Sequence, residues 1–89
     1  MAVAGGFRTF LFRQVIVLIY AAGPRLPPWA VSRLVEIVHQ SWEGHQIQCI
    51  QVARALHGAL GARGFRLLLP DLLPLLLGTL KVERENHQP

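Results

Sequence analysis

The sequence predicts an all-α fold built as about two stacked antiparallel helical hairpins. Two observations carry this expectation: apolar residues recur at helical spacing through most of the chain, and proline and glycine interrupt that spacing at helix-length intervals. No stretch alternates as a half-buried strand would. With 89 residues, 52% hydrophobic and 16% charged, the chain is apolar enough to offset the entropy of folding. It is also too short for most enzymes and holds one small domain at most. Short chains bury a smaller fraction of their surface, so the apolar surplus has to meet a membrane, a partner or further chain.

Residues 1–6 are read as an N-terminal tail. The first helix is expected over 7–22, with Phe7, Phe10, Leu11, Val15, Leu18, Ile19 and Ala22 at helical spacing and Phe12, Ile16 and Tyr20 in an adjoining stripe. Gly23-Pro24 ends it. Pro27-Pro28 opens a second helix over 28–42, since proline suits a first turn whose N–H groups have no helical partner. Val31, Leu34, Val35, Val38 and Trp42 are its inward residues, and Ser32, Arg33, Glu36, His39 and Gln40 are left outward. A third helix follows the break at Glu43-Gly44, over 46–61, with Cys49, Val52, Ala53, Leu56, Ala59 and Leu60 in register. Gly61-Ala62-Arg63-Gly64 supplies its stop. The last helix spans 66–81, with Leu69, Leu72, Leu73, Leu76, Leu77 and Leu80 inward and a kink expected at Pro74. Residues 83–89 form a polar tail.

Connections of two to five residues imply antiparallel neighbours, in either a closed bundle or stacked hairpins. Gly23-Pro24-Arg25-Leu26 recurs as Gly64-Phe65-Arg66-Leu67, an interval of 41 residues. That interval lies in the range of HEAT and armadillo repeats, which bury their faces only against neighbouring repeats. The expected architecture is therefore a HEAT/armadillo-like α-solenoid segment.

The net charge is +4, from nine Lys+Arg against five Asp+Glu, and the arginines are scattered. No basic stripe for a nucleic acid emerges. The apolar runs Val15–Ala22 and Leu67–Leu77 are too short or too interrupted to span a bilayer. Cys49 stands alone, cannot form an internal disulfide, and fits a reducing compartment. A competing reading takes residues 1–22 as a signal peptide of a small secreted or membrane-directed protein. Arg8 and Arg13 would be its basic region, 15–20 its apolar region and Ala21-Ala22-Gly23 its cleavage site. A further competing reading is a spurious or truncated gene product without activity, because Met1 stands just ahead of a helix of mid-solenoid character.

From Phe7 to Leu80 the chain resembles the HEAT-repeat solenoid of the target-of-rapamycin (TOR) serine/threonine kinases. Phe10-Leu11-Phe12-Arg13-Gln14 is similar to that family's Phe-Leu-Phe-x-Gln helix start, and Arg25 with Pro27-Pro28 to its Arg-Pro helix opening, which also closes near a tryptophan, here Trp42. Ile47-Gln48 and Ala59-Leu60-Gly61 resemble its Ser-Ile-Gln and Ala-Leu-Gly-Gly segments. The strongest segment, 65–74, resembles its Phe-Lys-Leu-Tyr-Leu-Pro-x-Leu-Ile-Pro. Residues 52–58 depart from the family's bulky aliphatics, and one extra residue falls near Arg63. The resemblance implies a cytoplasmic, non-catalytic scaffold in nutrient-responsive growth signalling. It also implies neighbouring HEAT repeats, a raptor-type adaptor and a second TOR chain as protein partners.

No glycine-rich kinase loop, strand lysine or catalytic Asp motif occurs, so no enzymatic activity is expected of this chain. Gly58-x-x-Gly61-x-x-Gly64 ends a helix instead of linking a strand to one, which disqualifies it as a phosphate loop. His45 and Cys49, four apart, supply two ligands where a structural zinc needs four, and His39 and His57 stand at no ligand spacing. Ser32 or Ser41 with a histidine and Asp71 lacks a nucleophile elbow and an oxyanion hole. No cofactor or metal is expected. Arg54 is either a groove-bridging or a solvated side chain. Trp42 is read as core in preference to a hot spot. The candidate interaction face is Arg33, Glu36, His39 and Gln40 on the second helix.

Overall fold

The structure, a computed structural model, describes residues 3–86, with side chains described for 8–78. The chain is all-α: α1 (Val3–Ala22), a 3-10 turn (Gly23–Arg25), α2 (Pro28–Ser41), α3 (Gln46–Arg66) and α4 (Leu69–Asn86). Among the described residues there is no strand.

The helix punctuation follows from local chemistry. Gly23 takes a left-handed φ of 54° at the end of α1, and Leu26 N–H closes the turn by donating to Gly23 C=O at 3.1 Å. Pro27 precedes α2, and its carbonyl accepts from the N–H groups of Ala30 and Val31. Within α3 the helical backbone breaks at Gly61, with φ 74° and ψ 173°, a conformation open essentially to glycine alone. The expected stop therefore falls at Gly61, but a further helical segment runs on to Arg66 before the chain turns. Hydrogen bonds donated by Leu67 N–H to Gly64 C=O and by Leu68 N–H to Phe65 C=O close that turn.

Besides the end of α3, and of α2 by one residue, three element boundaries differ from the sequence expectation. The first helix begins at Val3 and not at Phe7, because a formed helix extends at small cost per residue even through Gly5-Gly6. The last begins at Leu69 and not at Arg66: Pro70 lacks an N–H and so belongs in a first turn, where Asp71 and Leu72 N–H both reach Leu68 C=O. It also runs unbroken through Pro74 to Asn86, so most of the expected polar tail is helical; residues 87–89 lie outside the described residues.

α3 is the central element. It packs chiefly against α1 and also against α2 and the 3-10 turn, while α2 packs against α4. The core is formed by Phe12 and Ile19 from α1, Val35, Val38 and Trp42 near α2, Cys49, Val52, Ala55, Leu56 and Ala59 from α3, and Leu72 from α4. Phe12 also stacks on His45, with ring centroids 5.6 Å apart, pinning α1 to the start of α3. The expected inward face of α2 is the observed one. That of α1 is observed only in part: Ile19 is buried as expected and Phe12 of the adjoining stripe is buried with it, whereas Phe10, Leu11 and Leu18 are exposed, because α3, its chief neighbour, covers only one stripe of this largely apolar helix. Among the described side chains of α4, Leu72 alone is buried and Leu69 is half-buried; Leu73, Leu76 and Leu77 are exposed, with no further helix packed on them. Phe7 and Leu80, also expected inward, lie outside the described side chains.

The molecule measures 49 × 37 × 17 Å with a radius of gyration of 14.3 Å. A globule of this length has about 12 Å, so the chain is a slab two helices thick. Among the described residues no helix is long and apolar enough to cross a membrane.

Candidate functional site

α1 and α2 converge on α3 without closing against one another, and the space between them is a groove in two connected segments. The first, about 450 Å³, is walled by Leu11 and Val15 of α1 and Leu34 and Ile37 of α2, with Val52 of α3 beneath. The second, about 410 Å³, continues between Leu18 and Ala22 on one side and Leu26, Trp29 and Ala30 on the other. Val15 and Leu34 belong to both, which makes the groove continuous. A further hollow of about 270 Å³ lies among α2, α3 and α4, bordered by Trp42, Ile50, His57, Phe65 and Leu76.

The expected interaction face on α2 is divided by this geometry. Arg33 and Gln40, seven residues apart, line the groove at its two segments, whereas Glu36 and His39 line neither. All four side chains are exposed. Arg33 Nη1 donates to Glu36 Oε2 at 3.1 Å, an i,i+3 pair with both side chains more than half in water. Such a pair is worth only a few tenths of a kcal/mol, leaving Arg33 available to another anion. Arg8 marks the other end of the groove, beside Leu11. Sequence reasoning missed Arg8, Leu11, Leu18 and Trp29 as groove residues. Trp29 follows a proline pair at a helix start and is 75% exposed, a large aromatic in water that only the contact geometry identifies as a groove wall.

Cys49, His45 and His57 are each engaged in packing. Cys49 is fully buried and its thiol donates to Val38 C=O at 3.7 Å; burial raises its pKa above the ordinary thiol value, holding it as the neutral thiol. His45 is on Phe12, and His57 meets Phe65 edge-on at 5.2 Å across the Gly61 break. Among the described residues, no three His, Cys, Asp or Glu side chains come together in a way that could hold a metal ion. Gly58 is where the Tyr20 ring crosses α3: a methyl group there would sit 3.3 Å from Tyr20 Cε1. Arg54 is exposed at the edge of the small hollow, and Trp42 is 9% exposed, as expected of core.

Comparison with family models, with curated proteins and with solved structures finds no match to this chain.

Proposed function

We propose that the chain is a non-catalytic protein-interaction segment: two HEAT-like hairpins whose uncovered faces receive further helices. The observation that carries this reading is the apolar surface left open on both outer sides. Phe10, Val17 and Tyr20 of α1 are exposed by 55%, 59% and 59%, and Leu73 and Leu77 of α4 by 43% and 60%. The total exposed surface is 6764 Å², against about 5,200 Å² for a compact chain of the same mass. The excess, about 1,500 Å², is that of an open, flat shape, and exposed apolar side chains of α1 and α4 lie on two of its sides. One such face on each side is what an internal unit of a helical array presents. The starts of α2 and α4 at Pro28 and Leu69 repeat the 41-residue interval of the sequence motif, which favours a repeat over a closed bundle.

Within this reading the resemblance to TOR solenoids supplies the sharper form: a cytoplasmic scaffold segment with helical repeats as immediate neighbours and a raptor-type adaptor or a second TOR chain beyond them. The signal-peptide alternative is disfavoured by the part α1 has in the core, since removing residues 1–22 would strip Phe12 and Ile19 from Cys49, Val52 and Leu56. Two measurements test the proposal. By sedimentation velocity the isolated chain should self-associate, and Val17→Lys with Leu77→Lys should return it to monomer; a wild-type monomer with a cooperative melt contradicts the open-face reading. The flanking reading frame should encode more helical repeats followed by kinase motifs, and their absence would sink the TOR form.

A further inference from the structure

We infer that the α1/α2 groove is a docking site for an acidic amphipathic α-helix of a partner protein. The inference rests on reading the chain as an interaction segment, but it concerns a surface separate from the outer faces. Three observations select the occupant. The first is shape: from Arg8 to Ala22 the α1 wall is about 21 Å long, the length of about four helical turns. The floor and walls are almost wholly apolar, with exposed Leu11, Leu18 and Trp29 at the lip, so the occupant presents an apolar stripe at i, i+3, i+4 and i+7.

Charge is the second. Arg8 stands in one segment and Arg33 in the other, and among the described residues no Asp or Glu lines either. α1 contains two arginines and no acidic residue. Glu36 is an exposed partner of Arg33 that an incoming carboxylate can displace at little cost. A helix flanked by Glu or Asp is therefore complementary. A second copy of this chain brings no such complement in its own α1, and its leucine-rich α4, which carries Asp71, Glu83 and Glu85, is the competing occupant that the peptide-free control detects. The third observation is Trp29, 75% exposed on the groove wall, a residue type that dominates binding once it is covered.

The test titrates the full 89-residue chain with two labelled 16-residue synthetic helices. They share one leucine stripe; one carries Glu beside it and the other Lys. The Glu helix should bind about tenfold more tightly by anisotropy and shift the tryptophan emission to the blue, a shift that Trp29→Phe abolishes while buried Trp42 stays in place. Arg8→Glu with Arg33→Glu should reverse the preference, and Leu18→Asp should weaken binding at least about tenfold. Leu11→Asp is the second groove variant should Leu18→Asp lose its helical circular dichroism. The same titration in a Leu77→Lys background removes self-association through α4, so failure here and failure of the open-face reading are told apart. Equal binding of both helices, a preference that survives charge reversal, or binding indifferent to Leu11 and Leu18 each overturns the inference. So does a concentration-dependent Trp29 shift without peptide, which gives the groove to a second copy, or a shift only with phosphatidylglycerol vesicles, which gives it to a lipid surface.

Discussion

Gly61 shows how one residue can set the path of the chain. At φ 74° and ψ 173° its backbone lies where a Cβ clashes with its own peptide, although nothing else stands within 4 Å of that site. Gly61→Ala should therefore cost about 1–3 kcal/mol by denaturant unfolding, through strain alone. Gly44→Ala, in open space at negative φ, should be close to neutral. Cys49 gives a prediction in pH. Its folded-state pKa is raised by burial, so the folded state holds the proton longer than the unfolded chain does. The stabilisation is complete below the unfolded thiol pKa and is lost as pH rises through the folded one; melts should weaken on the alkaline side of about pH 9 in wild type and not in Cys49→Ala. Thiol-reagent labelling should likewise run at the rate of unfolding. Both residues were legible in part. The glycine stop and the buried cysteine are readable from helical spacing, whereas the resumption of helix after Gly61 depends on the turn bonds that Leu67 and Leu68 make.

Among the elements, α2 is the best predicted because its polar and apolar residues segregate cleanly: Val31, Val35, Val38 and Trp42 are buried and Ser32, Arg33, Glu36, His39 and Gln40 are exposed. α1 and α4 are harder to read for a physical reason. A helix that is apolar around most of its girth carries no information about which stripe meets its neighbour, and the answer comes from what packs on it. That is why Phe12 joins Ile19 in the core while Phe10, Leu11 and Leu18 stay exposed, and why, of the five expected inward leucines of α4 whose side chains are described, Leu72 is buried, Leu69 half-buried and Leu73, Leu76 and Leu77 exposed. The same reasoning bounds the candidate face on α2. Arg33→Ala or Glu36→Ala should change stability by less than about 0.5 kcal/mol, since their ion pair is exposed. A larger loss in thermal unfolding would show that the pair supports α2 itself. Half of that face, Arg33 and Gln40, was legible as a groove edge. The opposite wall was hidden in the sequence by the all-apolar character of α1.

Across the whole molecule, most of the packing joins elements that are not neighbours in sequence. α1 rests on α3 and α2 rests on α3 and α4, so most of what holds each half of the chain in place lies beyond the turn at Glu43-Gly44. That turn is exposed and loosely packed around Gly44. A break there would give two pieces, 1–43 and 44–89, each lacking the layer it rests on. Each piece alone should show little helical circular dichroism, and an equimolar mixture should recover it with a concentration-dependent midpoint. Helicity in either isolated piece would mean that the hairpins are independent after all. The chain is in this sense a complementation pair joined by a short tether: the two halves act as ligand and receptor for one another, at an effective concentration set by the tether joining them.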